Sequence, residues 1–243
     1  MSSESVVIRT FQPSDIQFRL AAARRIVYRQ GCDSGIAGHV TVRAEDDPLC
    51  FWTTPMSYFD EALPADAAKM DAGMRVLEGA MPTPGAMAFH PRIYRARQDV
   101  NAIVHVHSRH INVLVTTGRT VGMYNIASLI FHGRQVICPA LGDGPERGAG
   151  NLHEILGDKR VMLMPHHGAI IVGTSLEETV IHAITLEEAA GCHLAAQAAG
   201  GAEITDERVI RSLRTSPVIN RIAWESHLRR LQRSDPDLFA CLA

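Results

Sequence analysis

Hydrophobic spacing near the start of the chain predicts a helix followed by a two-stranded hairpin. The apolar side chains Ile16 and Leu20 begin a stripe at helical spacing, which predicts a helix over about 14–30. The pattern then changes to alternating, β-branched positions at 38–43, and a second apolar run follows at 49–54. Because an acidic turn separates the two runs, we expect them to pair as an antiparallel hairpin.

The rest of the chain alternates between short apolar runs and amphipathic stretches. The runs that predict strands lie at about 102–107, 126–131, 135–139, 161–164 and 169–172. The stretches that predict helices lie at about 86–97, 108–117, 150–157, 175–199 and 205–232, with a small helix after Pro64. This order predicts one α/β domain over 1–243, with helices packed on a mostly antiparallel sheet and 205–243 as a C-terminal helical extension.

Composition and charge narrow the choice of partner. The 243 residues are 46% hydrophobic and carry a formal net charge of −2, with a pI near 6.6. A chain of this kind can bury a full core, and it lacks the basic surface that nucleic acid or an acidic membrane would need. We therefore expect a small molecule or another protein as the partner, and neither nucleic acid nor a membrane.

Cysteine usage and hydropathy predict a cytoplasmic protein. The five cysteines are scattered, odd in number and without a Cys-x-x-Cys pair, so they suggest neither a disulfide framework nor a thiolate zinc site. The first ten residues lack the pattern of a signal peptide, and no stretch approaches the roughly 18 apolar residues that span a bilayer. Both observations favour a soluble protein in a reducing compartment.

Two histidines one residue apart interrupt the apolar run at 102–107. Side chains at positions i and i+2 of a strand point to the same face, so His105 and His107 can converge on one divalent ion. A third ligand has to come from elsewhere in the chain. The pair His166-His167 lies at the predicted turn between the strands 161–164 and 169–172, and either histidine can supply it.

The residues around these histidines match a known family. They are Tyr94, Arg95, Ala96, Arg97, Asp99-Val100-Asn101-Ala102-Ile103-Val104-His105 and His107, then about sixty residues later His167, Gly168 and Gly173, and finally Leu186-Glu187-Glu188-Ala189-Ala190. This pattern resembles the class II aldolase/adducin family over roughly residues 15–200. The resemblance implies a three-layer α/β/α domain, one divalent metal per subunit, and usually a homotetramer with active sites between subunits. Matched residue by residue, it makes His105, His107 and His167 the ligands of Zn²⁺ or Mn²⁺, with Fe²⁺ or Co²⁺ as alternatives.

The sequence departs from the sugar-phosphate aldolases of this family at two substrate-binding stretches. Their Ser-Ser-Glu, which binds phosphate and supplies the acid/base, reads Pro84-Gly85-Ala86 here, and their Thr-Pro-Thr/Ser-Gly reads Thr54-Pro55-Met56-Ser57. A proline offers no N–H to a phosphate, and Ala86 has no group that could exchange a proton. A phosphorylated substrate and a retro-aldol reaction are therefore disfavoured.

Decarboxylation needs the electron sink that a metal provides, but it does not need the missing glutamate. Relatives that decarboxylate hydroxylated aromatic or pyridine dicarboxylates resemble this chain, including the Ile-Tyr-Arg-Ala-Arg run at 93–97, so we expect a small-molecule carboxylate as substrate. We expect the proton donor among His90, His39 and His166. The residues expected to bind the substrate are Arg43 as a carboxylate clamp, Thr54, Gly85 and, across a subunit boundary, Tyr124.

Three other functions remain open at this point. The first is a class II aldolase that acts on an unphosphorylated hydroxy-carbonyl compound. The second is a non-haem iron oxygenase that uses the same three histidines. The third is a scaffold like the adducin head, but a scaffold has no need of an intact set of metal ligands.

Overall fold

The computed structural model describes residues 11–12, 14–79, 87–139, 151–212 and 216–242. The helices are α1 (Ile16–Arg29), α2 (His90–Ala96), α3 (Arg109–Val115), α4 (Leu152–Leu156), α5 (Leu176–Ala198), α6 (Glu207–Ser212), α7 (Pro217–Ser234) and α8 (Pro236–Phe239). The strands are β1 (His39–Arg43), β2 (Phe51–Thr53), β3 (Ala68–Met70), β4 (Val76–Gly79), β5 (Ala102–Val106), β6 (Gln135–Ile137), β7 (Val161–Met164) and β8 (Gly168–Gly173). Short 3-10 helices lie at Phe59–Glu61, Pro64–Asp66 and Ile126–Phe131.

The strands of the described residues form one mixed sheet in the order β4-β3-β2-β1-β5-β8-β7-β6. Every neighbouring pair in it is antiparallel except β6 and β7. The predicted hairpin of β1 and β2 is present, with Val42 opposite Trp52. The histidine strand β5 lies in the centre, between β1 and β8, so its two edges are fully paired.

Side chains alternate between the two faces of the sheet along the central strands, so each face has its own hydrophobic core. On β5, Val104 and Val106 face the core shared with α1, α3, α5 and α7. Ile103 lies on the opposite face, in the core shared with α2 and α4. Helices thus cover both faces of the sheet, which confirms the predicted three-layer α/β/α fold.

The longest helix, α5, packs across the first of these faces. It begins at Ser175, whose side chain accepts a hydrogen bond from the backbone N–H of Glu178. It contacts α1, α3 and α7 as well as β5 and β8, so it joins the helices of this layer to the central strands of the sheet. Neither α5 nor any other helix in the described ranges is long and apolar enough to cross a membrane.

The C-terminal helices are joined to α1 by buried charges. The side chain of Asp235 is 2% exposed and accepts hydrogen bonds from Arg25 and Arg29 on α1. Arg25 is 4% exposed and also reaches Asp237, whose side chain is 62% exposed. Because a buried charge without a partner is strongly destabilising, this network fixes the junction of α7 and α8 on the domain.

The structure contradicts the predictions in three segments. The predicted strand at 126–131 is a 3-10 helix, because the side chain of Asn125 accepts a hydrogen bond from Ser128 N and starts a helical turn. The strands β3 and β4 were not predicted, although the small helix after Pro64 is present as a 3-10 turn. The predicted helix at 205–232 is divided, because Pro217 has no N–H to continue a helix and instead opens α7.

Replacing Asp235 with alanine tests the contribution of this junction to stability. We expect Asp235→Ala to lower the free energy of unfolding by about 3–5 kcal/mol, because Arg25 would remain buried without this carboxylate. The control Asp158→Ala removes a carboxylate that is 87% exposed and pairs with Lys159, so it should lower the free energy of unfolding far less. Urea unfolding followed by circular dichroism measures both, and equal losses in the two variants would contradict this assignment.

Candidate active site

Three imidazole nitrogens meet where β5, the start of α3 and the β7–β8 turn come together. The Nε2 atom of His107 lies 2.9 Å from that of His105 and 3.3 Å from that of His167. The remaining pair, His105 and His167, is separated by 3.2 Å. His105 is buried and the other two are half-buried, so the triangle has one closed side and one side open to a ligand.

The geometry and chemistry of this triangle fit a divalent cation. Nitrogens that share one ion at about 2.0–2.1 Å lie about 2.9–3.4 Å apart at tetrahedral or octahedral angles. The Nδ1–H of His105 donates to the carbonyl of Ala169 at 2.9 Å, which leaves its Nε2 as the nitrogen with the free lone pair. Burial lowers the pKa of His105 well below its usual range and that of His107 to about 4, so both rings are neutral at pH 7. The Nε2 lone pair of His105 faces the other two Nε2 atoms, and a cation between the three rings would satisfy it together with a lone pair from each neighbour.

The tight turn that carries His167 places unusual demands on the two residues that flank it, Gly168 and His166. A Cβ at Gly168 would lie 2.7 Å from the ring of His107 and closer still to the backbone of Val106, so only glycine allows the two strands to approach here. His166 adopts a left-handed conformation with φ of 58°. Its exposed side chain is not part of the nitrogen cluster. The residue-by-residue match, which chose His167 over His166 as the ligand, therefore agrees with the geometry.

A buried chain of hydrogen bonds lies beside the triangle, between β1 and α2. The register of the sheet places His39 directly opposite His105, and their ring centroids are 4.9 Å apart. His39 Nδ1 lies 3.3 Å from His90 Nε2, and His90 Nδ1 lies 2.8 Å from Thr41 Oγ1. The chain ends at the hydroxyl of Tyr94, 2.8 Å from Thr41 Oγ1. Two of the predicted proton donors are therefore connected to each other.

Burial keeps the charged forms of this chain unfavourable. His39 is 6% exposed and His90 is 0% exposed. Burial lowers the pKa of each well below its usual range, with the neighbouring histidines adding to the effect. Burial also raises the pKa of Tyr94. Every group in the chain is thus neutral at pH 7, and its hydrogen bonds run in one of two directions set by the tautomers of the histidines.

Thr41 and Tyr94 are two members of this chain that were not among the site residues predicted from the sequence. Both are detectable in the pattern: Thr41 follows His39 by two positions on a strand, and Tyr94 follows His90 by four on a helix. Each therefore shares a face with a histidine. What the spacing does not give is the packing of α2 on β1, which brings these two faces together.

Arg43 does not serve as the predicted carboxylate clamp. Its guanidinium donates to the backbone carbonyls of Pro48, Tyr94, Arg97 and Val100 at 2.7–3.0 Å. It also lies over the ring of Tyr94, at 4.8 Å from the centroid. These contacts engage nearly all of its donors at the end of β1 opposite to His39. Arg43 therefore joins β1 to the loop after α2, and that is a structural role.

The other predicted substrate-binding residues lie in different places. Thr54 is buried, and its hydroxyl accepts a hydrogen bond from Arg24. Tyr124 is half-buried in a separate cavity of about 700 Å³, where its ring lies 4.8 Å from that of His193. Gly85 lies outside the described residues. Within the described part of the chain, the structure brings His39 and His90 to the three converged histidines, but not Tyr124.

Comparison with known proteins extends these observations. The family model "Class II Aldolase and Adducin N-terminal domain" matches residues 18–194. The meiotically up-regulated gene 14 protein of Schizosaccharomyces pombe is 29% identical over 165 residues, which are 65% of this chain and 64% of that protein. The chain thus spans slightly less than two thirds of the length of this relative.

Two bacterial relatives and one solved structure cover more of the chain. The 4-hydroxy-3-prenylphenylpyruvate oxygenase/4-hydroxy-3-prenylbenzoate synthase of Streptomyces roseochromogenus is 28% identical over 93% of this chain and 84% of its own length. The 3,4-dihydroxyphthalate decarboxylase of Arthrobacter keyseri is 29% identical over 75% of this chain and 79% of its own. The L-fuculose 1-phosphate aldolase from Glaciozyma antarctica superimposes with a TM-score of 0.80, at 25% identity and over 91% and 90% of the two chains.

The matched family model covers most of the chain, and its fold agrees with the three layers described above. The three converged histidines lie within the matched segment. This chain belongs to the class II aldolase and adducin family.

Proposed function

We propose that this protein is a metal-dependent lyase that removes CO2 from a hydroxylated aromatic or pyridine dicarboxylate. The observation that carries the proposal is the triangle of His105, His107 and His167 flanked by the buried pair His39 and His90. No carboxylate joins the ring nitrogens in the described part of the chain. The site therefore offers an ion and a proton-bearing imidazole, which are the groups that a decarboxylation needs.

The three histidines would hold one divalent ion, Zn²⁺ or Mn²⁺, with Fe²⁺ and Co²⁺ as alternatives. When bound, the ion supplies an electron sink for the electrons of the breaking carbon–carbon bond. The protein residues orient that ion: the carbonyl of Ala169 fixes the tautomer of His105, and Gly168 lets His107 and His167 approach each other.

His39 is the residue that we propose as proton donor to the substrate carbon. Its Nδ1 is bonded to His90, so the proton on its Nε2 can pass to the substrate carbon while Nδ1 takes up the proton of His90 Nε2. His90 is fully buried and cannot touch a substrate, so it orients His39 instead. Thr41 in turn fixes His90. His166 remains a second candidate donor because it is exposed next to a metal ligand.

The proposed substrate class rests on one named relative and on one position of the sequence. The relative from Arthrobacter keyseri is named a decarboxylase of 3,4-dihydroxyphthalate, a hydroxylated aromatic dicarboxylate. In the sequence, Ala86 stands where the sugar-phosphate aldolases that this chain resembles carry their acid/base glutamate. Both observations support loss of CO2 over cleavage of an aldol.

A homotetramer with active sites between subunits would bring the predicted residue Tyr124 to the substrate. In one subunit Tyr124 lines a different cavity from the metal ligands. The surface around it exposes Ile126, whose side chain is 67% exposed. We propose that a neighbouring subunit presents this surface to the open side of the histidine triangle.

An iron-dependent oxygenase is the second candidate. The relative from Streptomyces roseochromogenus, which is similar over 93% of this chain, is named an oxygenase. Three neutral histidines with an open side also suit Fe²⁺ and a dioxygen molecule. An aldolase acting on an unphosphorylated substrate is third, and the aldolase from Glaciozyma antarctica supports its reaction type.

Removing one histidine of the turn tests the metal centre. We expect the parent protein to bind one Zn²⁺ per chain, and His167→Ala to lose nearly all of it, because two ligands remain. His166→Asn changes the adjacent residue and retains a side chain that tolerates the left-handed backbone, so it should keep the ion. Equilibrium dialysis with elemental analysis measures the content, and a stoichiometric ion in His167→Ala would exclude this site.

A substrate panel separates the three reactions. We expect the Zn²⁺- or Mn²⁺-loaded protein to release CO2 from at least one hydroxyphthalate or pyridine dicarboxylate without consuming oxygen. CO2 and O2 should be recorded together in one vessel, with the His167→Ala variant as control. Oxygen uptake that requires Fe²⁺ would favour the oxygenase. Aldehyde release from a hydroxy-ketone, with no CO2 from the panel, would favour the aldolase.

Substitution of His39 tests the proton donor. His39→Gln keeps a polar side chain of similar size but has no ring nitrogen to transfer a proton, so kcat should fall by about 10²–10⁴-fold. Metal content and KM should change little. His166→Asn is the matched comparison, and both variants are measured on the substrate that the panel identifies. A large fall in kcat in His166→Asn, with His39→Gln unaffected, would move the role of donor to His166.

A further inference from the structure

Glu187 is a buried carboxylate on α5 that no part of the proposed reaction uses. It is 5% exposed. Its Oε2 accepts hydrogen bonds from Ser108 Oγ at 2.6 Å and from the backbone N–H of Ile111 at 3.0 Å. Its Oε1 accepts from the backbone N–H of His110 and lies 2.8 Å from that residue's ring Nδ1. The carboxylate is thus fully engaged by the first turn of α3.

These contacts take the place of an N-cap side chain at α3. Ser108 is the residue before α3, but its side chain accepts no hydrogen bond from the helix. It donates instead to Glu187, and Glu187 accepts from the unpaired N–H groups of the first turn. A negative charge is stabilised at that end of a helix. The start of α3 is therefore fixed by α5 rather than by its own cap.

The start of α3 also holds the metal ligand His107. His107 follows the last residue of β5, so the strand ladder does not hold its backbone. Its N–H donates to Ser34 Oγ at 2.7 Å, and its carbonyl accepts from Asn112 Nδ2 at 2.7 Å. Asn112 N donates in turn to the carbonyl of Ser108 at 2.9 Å. A shift of the first turn of α3 would therefore move His107.

The surface of α5 is shaped for this contact. Gly191 lies one helical turn after Glu187, and a Cβ there would lie 3.1 Å from the ring atoms Cγ and Nδ1 of His110. The missing side chain at Gly191 gives the His110 ring room to lie against α5 with Nδ1 at the carboxylate. This feature is independent of the hydrogen bonds to Ser108 and Ile111, and it points to the same fixed position for the start of α3.

We infer that Glu187 is a positioning residue for the metal centre, which it serves by holding the first turn of α3 and through it His107. The inference rests on the metal centre proposed above, but not on the reaction. A purely structural role, in which Glu187 only joins α5 to α3, makes a different prediction: it affects stability equally with and without metal.

The test compares Glu187→Gln with Glu188→Gln, which makes the same change at the exposed neighbouring position of the same helix. A glutamine amide has one acceptor oxygen and cannot accept from both backbone N–H groups and the hydroxyl in the same way. The affinity for Zn²⁺, measured by chelator competition, should fall by about 10–100-fold in Glu187→Gln, the range found when support of a ligand is removed. The rise in Tm on adding Zn²⁺ should shrink accordingly, because binding to the folded state sets that rise.

Each outcome decides the inference. In Glu188→Gln, affinity and the rise in Tm should equal those of the parent. The Co²⁺-loaded Glu187→Gln protein should also show an altered visible spectrum, which reports the ligand geometry. An unchanged Zn²⁺ affinity in Glu187→Gln, with the Tm lowered equally with and without metal, would show a structural role alone.

A second variant covers the case in which Glu187→Gln does not fold. Ser108→Ala leaves the carboxylate in place and removes one of its donors, so Zn²⁺ binding should weaken by several fold. Unchanged binding in Ser108→Ala would then overturn the inference. A parent protein that takes up no divalent ion would overturn the metal centre and this inference together, whereas a metal-binding protein without decarboxylase activity would leave the inference standing.

Discussion

The register of three neighbouring antiparallel strands is the constraint on which the site depends. On β1, β5 and β8 this register places His39 opposite His105 and His105 opposite Ile170. Side chains alternate faces along a strand, so a slip of one residue would turn His105 into the core beneath α5 and put Val104 in its place. The apolar side chains Val104 and Val106 oppose that slip, since they would lose their burial. The packing of the core thus fixes the direction of His105, the proposed metal ligand.

The same register creates a row of polar groups beneath α2 that has to be satisfied internally. An unpaired buried polar group is costly, and such groups in folded proteins are almost always hydrogen-bonded. Here the histidines of β1 and α2 bond to each other, and Thr41 and Tyr94 complete the chain. Its members are neutral, so the protein avoids burying charge. The proposed donor His39 is the member of this neutral chain that lies opposite His105.

Helix α5 connects the central strands of the sheet to the start of α3. It covers the apolar face of β5 and β8, and it also carries Glu187 to the first turn of α3. His105 is held by a strand and His167 by a turn between strands, whereas His107 lies beyond the strand end and depends on α3. The three ligands therefore draw on different elements, and the rigidity of the centre requires all of them to be fixed relative to one another.

The sequence by itself determined the elements with strong periodicity and predicted the three histidines that converge. The helix from Ile16, the hairpin of β1 and β2 and the central strand β5 follow from local spacing. The pair His105 and His107 follows from strand geometry, and His167 follows from the match to the family. Local spacing failed at 126–131 and at 205–232, where a side-chain cap and a proline redirected the chain.

Only the tertiary structure decided which polar residues meet. Arg43 lies on β1, the strand that carries His39, but it donates its hydrogen bonds to backbone carbonyls in and after α2. Thr41, Tyr94 and Glu187 reach the site region because helices pack on the sheet at particular positions. Such contacts join residues far apart in sequence, and their distances depend on the packing of whole layers, which no local pattern encodes.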